Sequence, residues 1–115
     1  MNTTAVGRNA ESAVVFYLEK LGHKIVAQNY RTRFYEIDII TEKDSKLFFT
    51  EVKYRSYSAF GNGLAYITPK KLGQMRFATE TFLTDKKLND RPVALAVASV
   101  SGENLTVDDW FELTE

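Results

Sequence analysis

The chain contains no cysteine and a single histidine, His23. Disulfides, thiolate zinc sites and thiol catalysis are thereby excluded, and one histidine is too few for an imidazole-rich metal centre. Any metal must be held by oxygen. Only two prolines and six glycines punctuate 115 residues, and no low-complexity tract, internal repeat or long linker breaks them up. No apolar run is long enough to span a bilayer, and Met1-Asn2-Thr3-Thr4-Ala5 lacks the basic-then-apolar order of a secretory signal. The expectation is a cytoplasmic protein with no membrane contact, forming one domain over residues 1–115. Net charge is also lacking, since 15 basic residues balance 15 acidic ones. The distribution is uneven. From Val52 to Phe77 no acidic residue occurs while Lys53, Arg55, Lys70, Lys71 and Arg76 do; from Gly102 onward Glu103, Asp108, Asp109, Glu112 and Glu115 have no basic companion. One region can face phosphates and another cannot, although solvated faces often differ in sign without binding anything.

What the chain does have is charge sorted along strands. Glu36-Ile37-Asp38-Ile39-Ile40 and Phe48-Phe49-Thr50-Glu51-Val52-Lys53 read as neighbours whose charged positions lie two apart. The pleat sends Glu36 and Asp38 to one face and Ile37 and Ile39 to the other, and it separates Glu51 and Lys53 from Val52 in the same way. Between the strands, a two-residue loop at Asp44-Ser45 pairs Lys43 with Lys46. Continued up the antiparallel ladder, that register sets Asp38 opposite Glu51 and Glu36 opposite Lys53. Facing carboxylates repel unless a cation lies between them, and hard ions such as Mg²⁺ or Mn²⁺ prefer oxygen ligands. A loop one residue longer or shorter sets Thr50 or Val52 opposite Asp38 and abolishes the pair. An exposed, salt-bridged hairpin accounts for the same residues, so the hairpin alone leaves both readings open.

Around it, Thr4 to about Leu21 reads as a helix ended by Gly22, with Glu11 on or beside its apolar stripe. A glutamate there either reaches water past its own packed stem or needs a cation. Lys24 to Tyr30 reads as a first strand, followed by the basic Arg31-Thr32-Arg33. After Lys53 comes a loop mixing basic, aromatic and glycine residues, in which Tyr57 and Phe60 either stack on bases or plug the core edge. Thr68-Pro69 is a strong helix start, and the helix runs to about Leu83. Lys70 and Lys71 fall in its first turn, against the helix dipole, which favours an anionic partner. Two strands close the chain, one after Pro92 and one from about Leu105 to Leu113. His23, after the helix-ending glycine, reads as a surface residue with no role. The order helix, three strands, helix, two strands predicts an α/β fold, a mixed central sheet flanked by helices.

This order, with Asp38 on one strand and Glu51-x-Lys53 on the next, resembles the PD-(D/E)xK fold of restriction-endonuclease-like and Holliday-junction-resolvase-like proteins. More closely, it resembles the small bacterial YraN family. The matching stretches are Gly7-Arg8-x-x-Glu11, Asn29-Tyr30-Arg31-Thr32-Arg33, Glu36 to Ile40, Glu51-Val52-Lys53-x-Arg55, Phe60-Gly61 and Thr68-x-x-Lys71. They run in order from residue 7 to about 83. Two positions depart from the family pattern: Ala10 precedes Glu11 and Tyr35 precedes Glu36 where that pattern has glycine. Alanine suits a helix. Tyrosine adds bulk beside the site and excludes a backbone conformation open only to glycine.

The resemblance implies a restriction-endonuclease-like domain in which Asp38, Glu51 and the carbonyl of Val52 hold Mg²⁺ or Mn²⁺. Glu11 completes the shell, and Lys53 orients water or stabilises developing charge. Glu36 is either a further member or a supporting salt bridge to Lys53. Arg31, Arg33, Arg55, Lys70 and Lys71 are the candidates for backbone phosphates. The implied activity is metal-dependent cleavage of DNA, with branched or single-stranded intermediates of repair or recombination as candidate substrates. The alternative is a nucleic-acid-binding module, or a subunit of a DNA-processing complex, that does not cleave. Small size and zero net charge favour a homodimer or a protein partner. No residue separates DNA from RNA.

Overall fold

The computed structural model describes residues 5–56 and 67–113. Helix α1 (Ala5–Lys20) leads into strands β1 (Lys24–Arg31), β2 (Glu36–Lys43) and β3 (Lys46–Arg55), then helix α2 (Pro69–Lys86) and strands β4 (Val93–Ser101) and β5 (Thr106–Glu112). The five strands lie in sheet order β1-β2-β3-β4-β5. Only β3 and β4 are parallel, and α2 lies in the connection between them. This is the expected helix, three-strand, helix, two-strand arrangement around a mixed sheet.

Each helix forms for local reasons and is held by one apolar stripe. In α1, Ala10, Val14 and Leu18 recur every four residues and are buried with Ile39, Ala98 and Val100. The chain leaves α1 through Gly22, whose φ of 95° suits a residue without Cβ. In α2, the Thr68 hydroxyl accepts from the Lys71 amide at 3.0 Å and Pro69 occupies the first turn. Met75, Ala78, Phe82 and Leu83 of α2 pack on Ile37, Ile40, Leu47, Phe49 and Leu95. The two clusters cover opposite faces of the sheet.

The β2–β3 turn is the predicted one. Asp44 and Ser45 have φ of 54° and 67°, both left-handed as a two-residue turn of this hand requires, and Lys43 pairs with Lys46. The register runs from there to Ile39 opposite Thr50 and ends. Both strands continue, β2 beside β1 as far as Glu36 and β3 beside β4 as far as Arg55, but not beside each other. They fork. At the fork the pleat is interrupted, since Asn29 on β1 has a φ of 53° and pairing with β2 skips from Gln28–Ile39 to Tyr30–Ile37. Ala27 and Tyr30 on one strand, and Ile40 and Ile37 on the other, therefore all pack against α2 although each pair is three residues apart. Ile39 and Val52 pack against α1. The expectation that Ile37 and Ile39 share a face is thus overturned where the Asn29–Asp38 pair drops out of the β1–β2 ladder, Ile37 packing with α2 and Ile39 with α1.

His23 is corrected as well. It is buried, with its Nδ1 2.7 Å from the Thr41 hydroxyl and its ring against Phe48 and Trp110. Burial, and then the nearby Lys43 charge, lower its pKa. The chain beyond a helix-ending glycine can turn inward as readily as outward, and His23 turns inward.

Candidate active site

The fork opens a pocket of about 380 Å³ to which four elements contribute. Gly7, Ala10 and Glu11 come from α1, Glu36 and Asp38 from β2, Glu51, Val52 and Tyr54 from β3, and Lys71 from the first turn of α2; Tyr35 borders β2. Four carboxylates thus meet one cavity. In an unbroken ladder Val52 would exchange both backbone bonds with Ile37. Here β2 has swung away, and the Val52 amide donates instead to Asp38 Oδ2 at 2.8 Å. Because the N–H and C=O of one strand residue point to the same side, the Val52 carbonyl faces the same gap.

Glu51 is buried with its charge compensated on both oxygens. The Tyr35 hydroxyl donates to Oε1 at 2.6 Å, while Lys71 Nζ and Lys53 Nζ lie 3.2 and 3.4 Å from Oε2. The Lys71 ammonium also sits 4.6 Å from the centre of the Tyr35 ring. Burial and the bond to Glu51 push the Tyr35 phenol far up, so it stays a donor. Asp38 is less well compensated. Burial, then the Glu51 charge, raise its carboxyl to about 8 against the pull of the Val52 amide, and Glu11 and Glu36 add to the rise. Glu11 is raised too, by burial and by Glu36. With the Asn29 amide oriented so that its oxygen and nitrogen both find partners, it donates to Glu11 Oε1 at 3.1 Å and to Glu36 Oε2 at 3.2 Å. The kinked residue that breaks the pleat therefore also ties α1 to β2.

Asp38, Glu51, Val52 and Glu11 line one cavity, and Lys53 adjoins it through its contact with Glu51. Glu36 joins them but not through Lys53. Its ion-pair partner is Arg31, at 3.5 Å, and the expected Glu36–Lys53 pair is replaced by Lys53–Glu51 on one strand, because the fork carries Glu36 away from β3. Among the phosphate candidates, Lys71 is drawn into the pocket, Arg33 and Lys70 are exposed beside it, Arg31 is exposed at the end of β1, and Arg55 is half-buried at the end of β3. Tyr57 and Phe60 lie outside the described residues. Tyr35 and Asn29 enter the site without having been assigned roles from sequence. In the sequence Tyr35 stands out only by its bulk beside Glu36, and Asn29 only as part of the family-like stretch Asn29-Tyr30-Arg31-Thr32-Arg33.

The donor chemistry fits a hard divalent cation, because every acidic ligand is a carboxylate and two of them, Asp38 and Glu11, are held above their ordinary range by burial and by the charges of Glu51 and Glu36. Among the described residues, however, no three carboxylate or imidazole groups are gathered tightly enough to cage an ion as they stand. Tyr35 and the two lysines hold Glu51 where an ion would compete for it.

Comparison with known proteins places most of this pocket inside a shared sequence pattern. The model of the uncharacterised protein family UPF0102 matches residues 10–100. A UPF0102 protein of Fusobacterium nucleatum is 34% identical over 112 residues, covering 97% of this chain and 92% of its own length. Relatives of the same description from Legionella pneumophila and Deinococcus radiodurans are 37% identical over 103 residues and 38% identical over 99 residues. The Legionella match covers 89% of this chain and 87% of the relative, and the Deinococcus match covers 84% and 80%.

Proposed function

The chain belongs to the uncharacterised protein family UPF0102, and from that premise we propose that its forked-strand pocket is the active site of a metal-dependent nuclease acting on DNA. One observation supports this most. The fork sets the carboxylates of Asp38, Glu51 and Glu11 around one cavity with the ammonium groups of Lys53 and Lys71 at Glu51, which joins cation ligands to phosphate-binding charge. Asp38, Glu51, the Val52 carbonyl and Glu11 would hold the Mg²⁺ or Mn²⁺ ion. Bound there, it would polarise the scissile phosphate and make water a better nucleophile. Lys71, which lies 3.2 Å from Glu51 Oε2 in the same pocket, is placed to bind a phosphate oxygen. Lys53 stabilises charge as it develops on the phosphoryl group. Glu11, fixed by Asn29 through Oε1, faces the same pocket, where it would complete the ion's shell.

A second reading has its own support. With both oxygens already engaged, Glu51 belongs equally to a polar structural core in a protein that binds nucleic acid without cutting it. A panel of duplex, single-stranded and branched DNA in Mg²⁺ or Mn²⁺ separates the two. The nuclease reading expects cleavage of at least one substrate that disappears in Glu51→Ala. Binding without cleavage of any substrate supports the second reading.

A further inference from the structure

Behind Tyr35 lies a second cavity, a groove of about 370 Å³ lined by Phe34, Tyr35, Lys70, Gly73, Gln74 and Phe77. Phe34 and Phe77 are 69% and 48% exposed, and their rings meet at a steep angle with centroids 6.0 Å apart. Two large aromatic faces open to water are unfavourable unless something covers them. The surrounding charge says what. The Arg33 guanidinium lies 5.8 Å from the Phe34 centroid, Lys70 lines the groove, and among the described residues no carboxylate does. Among the described residues neither Arg33 nor Lys70 forms an ion pair. An apolar slot rimmed by cations that no carboxylate among the described residues neutralises suits a flat ring carrying a phosphate.

Gly73 adds an independent mark. It sits inside α2, where glycine is less stable than alanine, yet a Cβ built on it meets nothing within 4 Å. Among the described residues nothing crowds that position and so requires glycine there. The space it leaves is the floor of the groove. We propose that this groove takes one unpaired nucleobase of a single-stranded DNA segment, stacked on Phe34 and Phe77, beside the phosphodiester held in the acidic pocket on the other side of Tyr35. The assignment rests on the nuclease-site reading and narrows its substrate, because bases within a duplex have both faces covered by stacking and cannot enter.

The test is equilibrium binding in Ca²⁺, without cleavage, of a single-stranded oligonucleotide containing 2-aminopurine and of the matching duplex. Wild-type protein is expected to bind the single strand more tightly and to change the probe's fluorescence. Phe34→Ala and Phe77→Ala each weaken single-strand binding by roughly tenfold and leave duplex binding nearly unchanged, while Phe34→Trp retains it. Gly73→Ala raises the melting temperature and weakens single-strand binding together, which a purely structural glycine would not do. Unchanged single-strand affinity in Phe34→Ala and Phe77→Ala overturns the proposal. So does a self-association that these substitutions abolish, since a second copy would then be the occupant. Failure here and failure of the nuclease reading are distinguishable. Cleavage in Mg²⁺ with no dependence on Phe34 removes the groove alone, whereas Phe34-dependent single-strand binding with no cleavage keeps the groove and removes the chemistry.

Discussion

Asp38 is a buried acid whose strongest charged neighbour is another acid, and its behaviour follows from that. Its carboxyl stands at about 8, above its unfolded value, so the metal-free folded protein keeps a proton that the unfolded chain releases. The stability it contributes is fully present below about pH 4 and is lost as pH rises through about 8. Asp38→Asn keeps an acceptor for the Val52 amide and removes the charge, so without metal it is expected to unfold at higher temperature than wild type at pH 8. The gain is roughly 1–3 kcal/mol by chemical denaturation, with solvent screening allowed for, and no gain would mean that Asp38 is already compensated. His23 has the opposite sign. Its pKa is lowered, so its contribution is present above about 6.5 and is lost as pH falls below that value. His23→Gln is expected to flatten that acid-side loss in a comparison of melting temperatures from pH 5 to 8. Tyr35→Phe removes the phenol from Glu51 Oε1, and calorimetric titration with Mn²⁺ is expected to show tighter binding by a few-fold; weaker binding would make the hydroxyl a supporting member of the site instead. Alternation and helical spacing are local, so the sequence alone sets Asp38 opposite Glu51 and Glu11 beside an apolar stripe, while the roles of Lys53 and Glu11 follow only from the family resemblance. Sequence could not reach the Tyr35–Glu51 bond, which joins residues 16 apart through a change of strand direction.

At the scale of elements, the turn was legible and the fork was not. Asp44-Ser45 is a poor version of the Asn-Gly turn, yet two polar residues between two strands were enough to set the register that brings Asp38 toward Glu51. Replacing Asp44-Ser45 by Asn-Gly is expected to raise stability by about 0.5–1 kcal/mol with the site intact, because both positions are left-handed. Helix α2 ends on Lys87 in the same left-handed region, its amide bonded to the carbonyls of Leu83 and Thr84. Lys87→Gly should add a similar amount, and a loss would show that the lysine side chain has a role of its own. Nothing in the local sequence announces that β2 and β3 part after Ile39, because the same alternation would serve an unbroken ladder. What parts them is a tertiary arrangement in which Asn29 kinks β1 and the Asp38 side chain substitutes for a backbone partner. The Glu36–Lys53 pair was a consequence of the unbroken ladder and fell with it.

Over the whole molecule, net charge is zero while charge is divided, with the acidic pocket next to the exposed cations Arg33 and Lys70. No helix among the described residues is long and apolar enough to cross a membrane. If DNA lies along this side, Lys70→Ala flattens the dependence of log affinity on log salt by about 0.7–0.9, and the Lys70, Lys71 double substitution by about one to two, as one or two phosphates are given up. An unchanged slope takes α2 out of the interface. The order of elements was legible because periodicity and punctuation are strong in this chain, whereas the meeting of α1, the fork and α2 at one cavity depends on packing between distant segments. The claim that this cavity is a metal-dependent phosphodiester hydrolase site is tested most directly by cleavage and binding of one DNA substrate measured side by side in wild type and Glu51→Gln. The account predicts that cleavage in Mn²⁺ or Mg²⁺ is lost in Glu51→Gln while binding in Ca²⁺ persists, since the shape is kept and only the ligand charge is removed. Cleavage that survives Glu51→Gln would contradict it.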